Sequence, residues 1–271
     1  MNWKCNSESI RINQLFSVQN KVVLITGAGG LGEMYAHAFA GNGAIVLLAS
    51  RTLKKAQHIS EEIQKKGYSC YPYLLDVSKK TNCNAIVNSI VQEFGHIDVL
   101  IHTAASCLLH DPLEDADDKI RTNMETNLMG SIYINRAVGS QMKKQKSGSI
   151  ININTMSAFS VNSPDGTSYS ISKSAVMQMT KWFAVALAPY HVTVNGIAPI
   201  WIDTPMMSGR SNSYMEHCRE QVPMNRIANK EDYLGLALYM ASNAGQFMTG
   251  QTILVDGGWS VSRVFSFDPD N

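Results

Sequence analysis

The sequence predicts an α/β chain, a doubly wound parallel sheet of about seven strands flanked by helices, in a single domain spanning residues 1–271. Three observations predict it. Apolar runs of strand length alternate with helical patterns along the whole chain. The runs Val22-Val23-Leu24-Ile25 and Ile45-Val46-Leu47-Leu48 are unbroken, as strands buried on both faces of a parallel sheet require. A glycine-rich turn, Gly27-Ala28-Gly29-Gly30-Leu31-Gly32, follows the first run at once and opens a helix.

The elements follow in order. Residues 1–19 are polar and unpatterned, and read as an arm. After the strand 21–25 and the glycine turn, Met34, Ala38 and Phe39 form a helical apolar face ending near Gly41 and Gly43. Residues 44–49 make a second strand. Residues 53–66 have helical spacing with a charged outer face, and Gly67 stops them. A strand over 71–75 is closed by Asp76, a helix over 84–94 ends at Gly95, and 99–103 is a short apolar strand. A long helix over 117–144 precedes the strand 149–153, the helix bearing Tyr169 and the strand 192–197. Residues 203–225 read as irregular, 230–242 as helical, 253–255 as the last strand and 262–271 as a tail.

Composition narrows the function. A hydrophobic content of 45% with 17% charged residues describes an ordinary globular chain. A net charge of +1 gives no electrostatic case for nucleic acid or an anionic membrane as partner. The five cysteines are scattered and odd in number, without a C-x-x-C pair; they read as reduced thiols of a cytoplasmic protein, with no metal site. No run has the length of a membrane span, and the first twenty residues lack the apolar core of a signal peptide.

The glycine turn carries the first chemistry. Gly27, Gly29, Gly30, Leu31 and Gly32 lie between a buried strand and a helix, the Rossmann-type context in which glycines let the backbone approach a pyrophosphate at a helix N-terminus. The tip of the second strand sets the cofactor. An acid there would bond a ribose 2′-hydroxyl, whereas this chain has Ser50-Arg51, which suits a 2′-phosphate and favours NADP(H) over NAD(H). Asp76, at the third strand tip, either accepts from an adenine amino group or caps a turn. A second motif is Tyr169-Ser170-Ile171-Ser172-Lys173, which sets a phenol and an ammonium one helical turn apart. A neighbouring ammonium favours the phenolate and draws the tyrosine toward general acid/base work.

These motifs, with Asp76-Val77, Asn127-Leu128-x-Gly130, Asn195-Gly-Ile-Ala-Pro199, Thr204-Pro205-Met206 and Thr249-Gly250-Gln251, resemble the classical short-chain dehydrogenase/reductase family over residues 16–261. The resemblance implies hydride transfer between a nicotinamide and a carbonyl or alcohol of a small molecule. In it Tyr169 is the general acid/base, and Lys173 lowers its pKa and holds the nicotinamide ribose. Asn127 organises a water, Thr155 stands at the catalytic serine position with Ser157 as the fallback, and Thr204 with Ile202 holds the carboxamide. Val77, Ala104 and Pro199 complete the implied cofactor site. The resemblance further implies a homotetramer or homodimer.

The chain departs from the family at four places. Its glycine loop is one residue shorter than T-G-x-x-x-G-x-G. Thr155 replaces serine, with an added methyl. His102-Thr103-Ala104-Ala105 stands where N-N-A-G is usual, and Ile200 stands where Gly follows Pro199, pointing to pressure on the nicotinamide or substrate pocket. His102 reads as a satisfied structural histidine before a titrating one. Residues 203–225 form the expected substrate lid, where Arg210, His217 and Arg219 are candidates for an anionic substrate group, and His110 and Phe159 flank the pocket mouth. Two alternatives stay open: a dinucleotide-binding sensor of weakened catalysis, and a lyase or isomerase with bound nicotinamide.

Overall fold

The computed structural model describes residues 11–161, 163, 165–203, 207 and 210–262. Its seven strands, β1 (Val22–Thr26), β2 (Ile45–Ser50), β3 (Cys70–Leu74), β4 (Val99–His102), β5 (Gly148–Ile153), β6 (Val192–Pro199) and β7 (Thr252–Val255), form one parallel sheet in the order β3-β2-β1-β4-β5-β6-β7. Chain order reverses between β1 and β4, which pair through Val23–Val99 to Thr26–His102. A crevice opens at the carboxyl ends of strands at such a reversal, and ligands bind there.

Helices cover both faces. Those used below are α1 (Ile12–Leu15), α2 (Leu31–Gly41), α3 (Leu53–Lys65), α4 (Lys80–Phe94), α5 (Asp117–Asn123), α6 (Gly130–Gln145), α7 (Thr167–Leu187), α8 (Asn212–Glu220) and α9 (Leu234–Ala241). Strand β1 shows why its run had to be unbroken. Val23 and Ile25 enter one core with Tyr35 and Phe39 of α2 and Ile59 and Ile63 of α3, while Val22 and Leu24 enter the other with Ile86 of α4 and Ile134 and Val138 of α6. The side chains alternate in direction, yet both directions are inward.

Residues 11–19 carry α1 and bury Val18 in the core, as an arm ordered on contact would. Two expectations need correction. Residues 203–225 are not irregular throughout, because α8 lies among them. Its N-cap, Ser211, accepts from the backbone of Tyr214, and its buried side is carried by Cys218, a pattern too polar to read as amphipathic. The helix expected over 117–144 is interrupted by a π-helical segment, Met124–Met129, that widens the backbone around Asn127.

Among the described residues no helix is long and apolar enough to cross a membrane, and no group of three His, Cys, Asp or Glu side chains could hold a metal.

Candidate active site

The glycine turn is built to receive a backbone-hugging ligand. Gly27 has φ 95°, and a Cβ there would stand 2.6 Å from Thr103 Oγ1 and 3.0 Å from the Ala104 nitrogen. A Cβ on Gly32 would meet the Gly27 carbonyl oxygen at 1.8 Å. Gly30 turns into α2 at φ 52°, and Leu31 buries its side chain beneath the helix start. Thr103 locks the cradle from behind, its hydroxyl donating to the Thr26 carbonyl at 2.7 Å and the Gly27 carbonyl at 3.2 Å. Even one residue short, the loop keeps its three close approaches, so its residues fit a dinucleotide pyrophosphate at the N-terminus of α2.

The adenosine side is partly occupied by local bonds. Ser50 Oγ accepts from the Thr52 backbone at 3.2 Å, and Arg51 is exposed. Asp76 Oδ1 accepts from both the backbone and the hydroxyl of Ser78, so one oxygen of Asp76 holds a turn. Val77 packs against Gly130, where a Cβ would come within 2.8 Å of its Cγ2.

Tyr169 and Lys173 rise from α7 toward the end of β5. The Lys173 ammonium donates to the Ile153 carbonyl at 2.8 Å and stands 6.0 Å from the centre of the Tyr169 ring. Burial lowers the Lys173 pKa to about 8, with Cys107 opposing. For Tyr169 the pKa is raised where the sequence led to a lowered one. Burial raises it, the nearby Cys107 adds to the rise, and the hydrogen bond with Thr155 only partly offsets them. The residue as a whole is half-buried, but its hydroxyl is enclosed by protein, so desolvation of the phenolate wins.

Thr155 combines two roles that the sequence held apart. It caps the short 3₁₀ turn Met156–Ala158 by accepting from the Ser157 backbone at 3.3 Å, and it hydrogen-bonds Tyr169. The strand end is fixed by Asn154, a residue the sequence reading passed over: its side chain donates to the Lys173 carbonyl at 3.1 Å and accepts from the Thr155 backbone at 2.9 Å. An amide directly before the candidate hydroxyl was the available signal. Ser172 was also missed; it donates to the Tyr169 carbonyl at 2.6 Å and accepts from Asn127 at 2.9 Å. Asn127 clamps the backbone of Ser106 through both of its side-chain atoms, at 2.7 and 2.8 Å.

Behind these residues runs a buried polar chain. Ser131 donates to the Asn127 carbonyl at 2.5 Å, so its proton is committed. His102 must then donate to Ser131 from Nε2 (2.9 Å) and accept from Thr26 at Nδ1 (2.6 Å). Burial first and the Lys173 charge second push the His102 pKa down to about 3. This agrees with a satisfied structural histidine. It also fixes the sign of a pH effect. The unfolded chain takes up a proton below about 6.5 that the fold refuses, so His102 destabilises the protein progressively as pH falls from 6.5 toward 3. Urea unfolding at pH 7.5 and 5.5 is expected to show the wild type losing about 1.4 kcal/mol more than His102→Asn; equal losses would show that His102 does not carry this term.

Ile200 packs in a small core with Met156, the neighbour of Thr155, and with Val222 and Trp259. Pro199 ends β6, and Ile202 is buried and bridges to Ala228. Thr204 lies outside the described residues. Among the lid cations, Arg219 is paired with Glu216 and Asn225, while Arg210 makes a long 4.0 Å pair with Asp165 and lies over the Tyr214 ring. Arg210 also lowers the pKa of Cys107, which burial raises, and so belongs to the same environment as Tyr169 and Lys173. His110 is buried and bonded to Ser168, whereas Phe159 is exposed.

A family model described as enoyl-(acyl carrier protein) reductase matches residues 27–260. The sorbose reductase of Schizosaccharomyces pombe is 34% identical over 253 residues, 92% of this chain and 99% of its own. A short-chain type dehydrogenase/reductase from Mycobacterium marinum superposes with a TM-score of 0.88 at 31% identity, covering 93% of this chain and all of that one. A gluconate 5-dehydrogenase from Burkholderia cenocepacia, solved with NADP and tartrate, superposes at 0.89 with 25% identity and the same coverage. With the parallel sheet, the glycine cradle and the Tyr169–Lys173 pair, these relationships identify the chain as an oxidoreductase of the classical short-chain dehydrogenase/reductase family.

Proposed function

We propose that the protein is an NADP-dependent carbonyl reductase acting on a small, polar ketone. One observation carries the reading: Tyr169, Lys173 and Thr155 converge at the end of β5, at the same carboxyl edge of the parallel sheet as the glycine cradle after β1. NADPH supplies a hydride at C4 of its nicotinamide when bound. The raised pKa of Tyr169 keeps its phenol protonated at neutral pH, so it stands ready to give a proton to the substrate oxygen. Thr155 shares that oxygen through its hydroxyl. Lys173, held by Ile153, keeps protons to offer the nicotinamide ribose and makes the charged form of Tyr169 less costly. Gly27, Gly29, Gly30, Leu31 and Gly32 hold the pyrophosphate, Ser50 and Arg51 the 2′-phosphate, and Asp76, Val77 and Ala104 the adenosine side. Asn127 positions the Tyr169 turn through Ser172.

The polar substrate class is supported by two neighbours, one named for reducing sorbose and one holding tartrate, and by the cation Arg210 at the lid, 4.0 Å from Asp165. Trp182 and Val185 of α7 are 70% and 72% exposed, which supports a homodimer or homotetramer built on that helix. The reading places the protein in the cytoplasm.

The test is a fluorescence titration with NADPH and NADH, followed by a panel of polyhydroxy ketones. Wild type should bind NADPH at least tenfold more tightly than NADH, and Arg51→Ala should remove about 1.4 kcal/mol of that preference. Equal binding of the two nucleotides would overturn the NADP assignment.

A further inference from the structure

The loop that is one residue short has acquired a neighbour. The Lys55 ammonium lies 3.1 Å from where a Cβ on Gly29 would stand, and it is the sole group that such a Cβ would meet within 4 Å among the described residues. Gly29 is not in the left-handed region, so its backbone does not call for glycine. The side-chain space above it is taken by the lysine.

Lys55 reaches this point because of how β2 ends. Ser50 accepts from the Thr52 backbone and turns the chain sharply, Thr52 takes the N-cap position, and α3 begins at Leu53. The Lys55 backbone donates to the Thr52 carbonyl at 3.0 Å, which sets Lys55 in the first helical turn. Its stem therefore points from the β2 tip across to the glycine loop, spanning the side of the cradle on which Ser50 and Arg51 stand. Among the described residues no ion pair engages either Arg51 or Lys55. Two cations without acidic partners among the described residues thus stand four positions apart where β2 turns into α3, and one of them lies over the glycine loop.

Resting on the NADP reading above, we propose that Lys55 is a specificity-determining residue that receives the 2′-phosphate together with Arg51. The shortened loop leaves room over Gly29 for a cation supplied by α3 in place of one supplied by the loop itself. The pyrophosphate already has the free N–H groups at the start of α2, and Lys55 approaches from the other side, from the strand tip where a 2′-substituent lies. The ammonium is a mobile point charge on a long stem, suited to following a phosphate that settles over the loop.

Direct binding titrations would test this with four nucleotides: NADPH, NADH, and adenosine diphosphate with and without a 2′-phosphate. Lys55→Gln should weaken NADPH and the 2′-phosphorylated fragment about tenfold and leave the other two within about twofold. Lys55→Arg, which keeps the charge, should restore most of the loss. Equal weakening of NADPH and NADH would overturn the assignment and give Lys55 to the pyrophosphate. A loss in Arg51→Ala with none in Lys55→Gln would overturn it while leaving the NADP reading intact. Wild-type protein that binds both dinucleotides equally would defeat the NADP reading itself.

Discussion

Replacing Tyr169 by Phe is expected to lower kcat for carbonyl reduction by about a thousandfold while NADPH affinity stays within about twofold. The substitution removes one hydroxyl and keeps the ring. That hydroxyl is the group hydrogen-bonded to Thr155, and it is absent from the backbone bonds that position the α7 turn, which run through Ser172, Asn127 and the Lys173 carbonyl. The turn should thus survive the change and the cofactor should still bind. Because burial raises the Tyr169 pKa, reduction in the wild type should hold level through neutral pH, and the reverse oxidation should require higher pH. Steady-state kinetics beside a binding titration checks both parts. A variant that retains a tenth of wild-type kcat would remove Tyr169 from the proton transfer.

Gly32→Ala is expected to abolish nucleotide binding, with a loss beyond a hundredfold, and to lower stability by about 1–3 kcal/mol. The added Cβ would stand 1.8 Å from the Gly27 carbonyl oxygen and 2.8 Å from Thr103 Oγ1. The first of these is backbone, and the Gly27 carbonyl is itself held by the Thr103 hydroxyl, so relief requires moving the loop off its clamp. Gly29→Ala is the contrast for stability. Its Cβ would meet only the flexible end of Lys55 among the described residues, so thermal stability should stay near wild type. NADPH binding by Gly32→Ala within tenfold of wild type would show that this loop is not the dinucleotide cradle.

Much of the site was legible because its chemistry is written in short local patterns. The glycine turn, the Ser50-Arg51 tip and the Tyr169–Lys173 turn each depend on residues a few positions apart, where strand or helix geometry fixes their relation in advance. What was missed depends on long-range packing. Asn154 holds α7 across nineteen positions, Asn127 reaches Ser172 across forty-five, and Lys55 meets Gly29 only after β2 has paired with β1. The error about Tyr169 has the same origin. Tyr169 was expected at a lowered pKa because its lysine was visible in the sequence, whereas the protein enclosing its hydroxyl was not.

By itself, the sequence determined the parallel sheet, the cradle and the acid/base pair, since strand burial, glycine turns and helical spacing are set by neighbouring residues. Tertiary structure alone decided the desolvation of Tyr169 and His102 and the approach of Lys55 to the loop. Desolvation and through-space charge depend on which distant atoms exclude water from a group, and the folded chain is what brings those atoms there.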